Sequence, residues 1–383
     1  MKIKKDIYNN KSSFLILLML LAVAAFGLLS PYNYNILPAN IIFEATLLLS
    51  AVVSIKKKKK KTTVFLAISF TYVALCYLIM ETSRPAHILD FVQAYKSFIY
   101  IIPLCFFIGR EKFNESQIRA TLLLLLLLFA TKYGYSRALK LDLLLGSRPG
   151  IYTENNFELI LLLIIYYLAA PSLGKLRAGY FFLLALIVAM SGSRSAVLGL
   201  VIVYIFTFFQ KLDFKFIIST LALIIITALA FYIFSQRNSG SIEDIDRYRF
   251  LMIFLEETKE WDLINILLGS RPLTPFSSYS CSALGFYKSL FSFSGDGTCY
   301  SVILHSYLLR VIFDHGILGF YFVLYFVWYG LSIAQYSTRQ KLCIISVLLA
   351  SGLSVSSLNS IYVAIALAIS FSYPQKRAIK IHS

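Results

Sequence analysis

Long apolar runs separated by short polar turns dominate the chain. Runs lie at 14–29, 36–55, 63–80, 89–108, 121–134, 157–170, 178–190, 196–209, 216–235, 316–336, 342–358 and 361–373. About twenty apolar residues in a helix cross a hydrocarbon core about 30 Å thick. The pattern therefore predicts an all-α polytopic integral membrane protein with about twelve transmembrane helices, some of them short, in one membrane domain covering residues 1–383.

One interval breaks this rhythm. Residues 236–315 are largely polar and carry an arginine cluster, two cysteines, a Gly/Ser-rich stretch at 277–298 and His305. Within it, Ile245, Tyr248, Leu251, Met252 and Leu255 recur at helical spacing with acidic residues between them. This predicts an amphipathic helix over 244–258, lying on the membrane surface or packed on the bundle. The interval reads as one large external loop containing short helices, and a loop that collects ionisable residues is where chemistry is sought first.

Composition strengthens the membrane reading: 58% of the 383 residues are hydrophobic and only 14% charged. The formal charge of +17 on a soluble chain would suggest nucleic acid, but its distribution excludes that partner. Basic residues gather in alternate turns: the lysine run at 56–61, Arg110, Lys112 and Arg119, Lys175 and Arg177, Lys211 and Lys215, and Arg339 and Lys341. Lys2, Lys4, Lys5 and Lys11 precede the first run, and Lys376, Arg377 and Lys380 follow the last. This is the positive-inside pattern, which places both termini in the cytoplasm of a multi-pass inner-membrane protein and the large loop in the periplasm. The lysine run faces cytoplasmic lipid headgroups. No small-residue cleavage site follows the first run, so it reads as an uncleaved anchor.

The basic residues that remain are mostly arginine and include Arg84, Arg137, Lys140, Arg148, Arg194, Arg237, Arg247, Arg249, Arg271 and Arg310. The planar guanidinium fork suits phosphate, and it is concentrated where the topology rule prefers no positive charge.

Ser191-Gly192-Ser193-Arg194-Ser195-Ala196 sits between two apolar runs. Backbone N–H groups near the following helix start, with Arg194 beside them, form an anion site, or else a tight turn whose arginine snorkels to headgroups. His305 ends the polar interval and is placed to take a proton from a hydroxyl, or simply to bond backbone at the interface. His315 precedes Gly316, which reads as a helix-boundary device. Cys76, Cys105 and Cys343 fall in apolar runs, whereas Cys281 and Cys299 share the loop and are expected to pair in an oxidising periplasm, with two free thiols as the alternative. No Cys/His spacing suggests metal. The letters LLGSRP occur at 144–149 and again at 267–272, too little to define a repeat architecture.

SGSRSA at 191–196, RPGIYTENN at 148–156, an arginine opening the loop helix that leads to LLG at 267–269, and HSYL…HGILG at 305–319 occur in that order. Together they resemble the O-antigen polymerase and ligase superfamily over roughly 148–319. The resemblance implies a membrane-embedded glycosyltransferase of the C type that uses no metal, nucleotide sugar or other cofactor. Such an enzyme takes a glycan from an undecaprenyl diphosphate carrier at the periplasmic face and passes it to a sugar hydroxyl. His305, Arg194 and Arg249 are implied to be catalytic, Arg249 being better spaced to Gly269 than Arg247. Arg148, Asn156, Arg247 and Arg271 are implied to bind substrate, with helix capping the other reading of Asn156. The implied partners are the lipid-linked oligosaccharide, membrane lipids, a chain-length regulator and a flippase.

An O-antigen or capsule polymerase is the reading that fits best. A ligase that transfers the glycan to lipid A-core is the alternative within the superfamily, and a flippase or transporter of lipid-linked sugar the alternative outside it. A transporter would place charges near the bilayer midplane, where Glu44, Asp90 and Lys96 suggest no obvious relay.

Overall fold

The structure, a computed structural model, describes residues 3–55, 60–140, 148–209 and 246–374, with side chains from Ser13 in the first stretch and from Arg247 in the last. The expected span at 216–235, Arg237, the lysines at 56–59, Lys211 and Lys215, the basic side chains of both termini, and residues 144–147 of the first LLGSRP copy lie outside these limits.

Among the described residues the chain is helical and has no strand. The helices are α1 (Ile3–Leu29), α2 (Ala39–Val52), α3 (Lys60–Ser83), α4 (Ile88–Leu104), α5 (Glu115–Ala138), α6 (Asn155–Ala169), α7 (Arg177–Ser191) and α8 (Arg194–Phe208). Three short helices follow in the polar interval: α9 (Asp246–Glu257), α10 (Leu263–Leu268) and α11 (Ser278–Ala283). The bundle resumes with α12 (Tyr307–Ile333), α13 (Thr338–Gly352) and α14 (Ile361–Ser372). Each expected apolar run within the described residues is helical over most of its length. Among the described residues five segments are long and apolar enough to cross a membrane: Lys60–Ser83, Glu115–Ala138, Asn155–Ser172, Gly174–Ser191 and Tyr307–Ile333. These features define a helical membrane protein.

At the centre stand α6 and α14, strongly apolar and buried along nearly their whole length. Around them the connecting turns gather into two hydrogen-bonded groups. One joins the α1–α2, α5–α6 and α7–α8 connections: Asn35 donates to the Ile151 carbonyl, and Asn155 to the Ser191 carbonyl. The other joins the α4–α5 turn to the end of α14, where the Lys112 amide donates to the Ser372 carbonyl. The turns expected outside thus meet one another, as do two expected inside.

The polar interval has its own core. Phe250, Ile253, Phe276, Leu284, Ile303 and Leu304 pack together with Phe313 of α12. Cys281 and Cys299 are bonded, with Cα atoms 5.7 Å apart. Asp90 of α4 accepts from Ser292 Oγ at 2.6 Å and from the Phe293 amide, pinning the interval to the bundle. The amphipathic helix forms over Asp246–Glu257, residues 244 and 245 of the expected range lying outside the described ones, and its apolar row is left exposed, as the surface-lying alternative has it. Phe250 and Ile253 are buried, whereas Tyr248, Leu251, Met252 and Leu255 form an exposed apolar row.

Gly316 is the helix boundary that its position suggests: at φ 64° it separates two helical segments of α12, nine residues after the first begins at Tyr307. His315 beside it is a packed interior residue, its Nδ1 lying 2.8 Å from Tyr72 Oη and its ring against Tyr95 and Phe98.

The cysteine pairing gives a direct test. Unreduced, denatured protein should take up alkylating reagent at Cys76, Cys105 and Cys343 alone, and Cys281→Ser/Cys299→Ser should lose about 3 kcal/mol of stability. Labelling of all five cysteines before reduction would show that the pair is not bonded.

Candidate functional site

The segment 148–154 is irregular backbone held by a buried carboxylate. Glu158 of α6 accepts from the Ile151 amide at 2.9 Å, the Tyr152 amide at 2.7 Å and Tyr133 Oη at 2.5 Å. Irregular backbone inside a membrane bundle needs such partners, since each unsatisfied amide there costs several kcal/mol. On its other side, the Gly150 amide donates to the Asn33 carbonyl at 2.6 Å, and Tyr152 Oη to the Leu20 carbonyl. A Cβ on Gly150 would lie 2.6 Å from the Thr153 carbonyl oxygen, so a side chain there would disturb the loop.

This segment walls a pocket of about 480 Å³ lined by Tyr34, Arg148, Thr153, Glu154 and Asn156. The SGSRSA turn meets it through Asn156. Gly192 adopts the left-handed conformation that ends α7, and Ser193 caps α8 by accepting from the Ala196 amide. The same Ser193 hydroxyl donates to Asn156 Oδ1 at 2.6 Å. Asn156 therefore fastens two helices together and does not cap α6, whose N-cap is Glu154. Arg194, the first residue of α8, is exposed on this turn.

Glu154 also lines a second cavity of about 280 Å³, shared with Glu44, Gln93, Lys96, Tyr100, Arg310 and Asn359. Lys96 and Glu44 pair at 3.1 Å, and Tyr100 Oη donates to the same carboxylate at 2.8 Å. Arg310 is buried, donating to the Gln93 carbonyl and to Ser356 Oγ, each at 2.9 Å. Glu154 is the hinge between the two cavities. Desolvation there raises its carboxyl above the usual carboxylate range, an effect opposed by the neighbouring Arg148 guanidinium.

His305 is half-buried, its ring against Phe250 of α9 and Tyr287. Its carbonyl accepts from Ser356 Oγ at 3.5 Å, the hydroxyl that also receives Arg310. Arg249 adjoins Phe250 and is partly exposed, while Arg247 is more exposed. Arg271 lies elsewhere, on a cleft with Arg84.

The sequence-predicted residues thus fall into three places. Arg148 and Asn156 line the first pocket, with Arg194 on the turn bonded to Asn156 through Ser193; His305 packs on Phe250 of α9, the helix that carries Arg247 and Arg249; and Arg271 is apart. Sequence reading passed over Arg310 and the Lys96–Glu44–Tyr100 group as site residues. The signal was Glu44 and Lys96, two charged residues inside apolar runs, an expensive placement that marks function by default. Among the described residues no group of His, Cys, Asp and Glu could hold a metal ion.

Compared with known proteins, the chain matches no family model, no curated protein and no solved structure.

Proposed function

We propose that the protein is a membrane-embedded glycosyltransferase that moves a glycan from a polyprenyl diphosphate carrier to a sugar hydroxyl at the outer membrane face, acting as an O-antigen or capsule polymerase. The observation that carries this reading is the Ser193–Asn156 hydrogen bond. It ties the arginine-bearing turn to a polar pocket that also presents Arg148 and Glu154. The residue motifs of the resemblance supply the reaction class.

In this reading the acceptor oxygen attacks the anomeric carbon, the bond from that carbon to the diphosphate oxygen breaks, and the carrier leaves with the electron pair. Arg194, Arg148 and Arg249 stabilise the charge that grows on the diphosphate, which matters most where water is scarce. His305 takes the acceptor proton. Glu154 and Asn156 hydrogen-bond sugar hydroxyls, and the second cavity, with Lys96 and Arg310, accommodates the rest of a polar glycan. Bilayer lipids surround the protein, and a flippase and a chain-length regulator act beside it.

The bonded Cys281–Cys299 pair supports an oxidising location for the loop, because disulfides are rare in the cytosol. Reporter fusions at Ser270 should therefore register periplasmic exposure, and fusions in the 56–61 turn cytoplasmic exposure. A cytoplasmic signal at Ser270 would end the proposal. The decisive assay gives purified protein lipid-linked repeat units on its accessible outer face: lengthened chains indicate a polymerase. Transfer only to lipid A-core would indicate the ligase, and no transfer would favour transport.

A further inference from the structure

The two LLGSRP copies put their arginines on two different clefts. Arg148 of the first lines the pocket described above, whereas Arg271 of the second lines a cleft of about 390 Å³ together with Ile79, Ser83, Arg84, Trp261, Asn265 and Thr274. We propose that this second cleft binds the phosphate of an anionic phospholipid headgroup, seating the polar interval on the membrane surface. This assignment does not depend on the glycosyltransferase reading.

Depth is the first argument. Helix α3 is 24 residues long and apolar, so it extends about 36 Å, slightly more than the hydrocarbon core. Arg84 follows its last residue directly. A residue at that point stands at headgroup level, where guanidinium groups meet lipid phosphates. The cleft's position is thereby fixed at the interface by the span that forms one wall.

Charge is the second. Both Arg84 and Arg271 are exposed, and none of the residues lining the cleft is acidic. The nearby carboxylate of Asp262 is directed to the α10 amide of Asn265, which donates to it at 2.8 Å. The cleft offers two forked donors with Asn265 beside them, a chemistry matched to phosphate oxygens, while the Ser270 and Thr274 hydroxyls donate to the Arg271 carbonyl and hold its backbone in place.

The apolar rim is the third. Helix α10 borders the cleft and leaves Leu263, Ile264 and Leu268 exposed by 70%, 63% and 57%. Its C-terminal end is locked to the break in α12, where the Ser270 amide donates to the Phe313 carbonyl at 2.7 Å. The exposed apolar residues of α12 beyond the break, Ile317, Leu318 and Tyr321, continue that rim onto a spanning helix. A surface continuous with the lipid-facing side of a span, and crowned by two arginines, fits a phospholipid with its acyl chains on the rim and its phosphate in the cleft.

Trp261 lines the cleft and provides the readout, since the chain has only two tryptophans. In a Trp328→Phe background, full-length protein is reconstituted in bilayers mixing brominated and plain lipids. Quenching of Trp261 should show preference for brominated phosphatidylglycerol over brominated phosphatidylcholine. Arg84→Gln/Arg271→Gln should reduce that preference by about fivefold for each arginine removed, while Arg84→Lys/Arg271→Lys should retain an intermediate preference at an unchanged melting temperature. Equal quenching by the two lipids, or a preference unaltered in the glutamine pair, would overturn the proposal. Loss of the preference in inorganic phosphate, but not in chloride of matched ionic strength, would identify a soluble anion as the ligand and would likewise overturn it.

Discussion

His305→Ala and Arg194→Ala are each expected to abolish chain elongation by purified, folded protein, with losses of about 10²–10⁴-fold for the base and about 10²–10³-fold for the arginine. His305 lies at the edge of the loop core and Arg194 is exposed, so neither substitution should unfold the protein. Arg249→Ala should behave as Arg194→Ala does. Lysine should restore only part of the activity at either arginine, because it lacks the bidentate fork.

Glu154→Gln separates the roles within the pocket. As a sugar-binding carboxylate, Glu154 should affect KM more than kcat; a kcat loss equal to that of His305→Ala would make Glu154 the base. Its raised carboxyl carries a signed pH consequence. Binding through the carboxylate should weaken as pH falls through a value above the usual carboxylate range. Arg148 opposes the rise, so Arg148→Ala should move that weakening to still higher pH. A KM that is flat across the acid range, or an Arg148→Ala profile displaced to lower pH, would remove Glu154 from the binding role. Elongation that persists in the His305→Ala protein would exclude that histidine as base.

The largest stability effect is expected at the junction of the polar interval with α12. Gly316 has φ 64° and ψ −175°, a region almost confined to glycine. A Cβ there would also collide with the Leu267 carbonyl oxygen and the Gly269 amide nitrogen. Gly269 is in the reciprocal position, with φ 85° and a Cβ site 2.6 Å from both the His315 and Gly316 amide nitrogens. Neither obstacle is a flexible side chain that could swing aside. Gly316→Ala should therefore cost about 2–5 kcal/mol, read as a lowered melting temperature and increased proteolysis of 246–306. Gly134→Ala is the control: nothing lies within 4 Å of its added Cβ, and alanine in a helix interior should stabilise by about 0.5–1 kcal/mol. Equal stability of Gly316→Ala and wild type would show that the two glycines do not lock the loop to the bundle.

Much of the architecture was legible in the chain. Apolar run length located the helices, because a bilayer-spanning segment must satisfy its backbone internally and needs a fixed length to do so. Alternating basic turns predicted which connections share a side, and the hydrogen bonds joining the 30–38, 148–154 and 192–193 turns agree with that parity. The cysteine pair was also named by sequence, and the structure joins it.

What remained hidden depends on which residues meet across long separations. On α9, periodicity cannot tell a face that packs on protein from one that stays exposed, since both are apolar; only the surrounding core shows that Phe250 and Ile253 are buried. Asn156 looked like a cap because its type suits one, whereas its Oδ1 is taken by a serine 37 residues away. The glycine at 316 reads as a helix boundary and is one, but sequence shows only the conformational freedom it grants and not the backbone of Gly269 pressed against it. Arg148 and Arg271 carry identical neighbours and yet line separate clefts. The local sequence determined their chemistry as arginines, and only the packing of distant helices decided what each one faces.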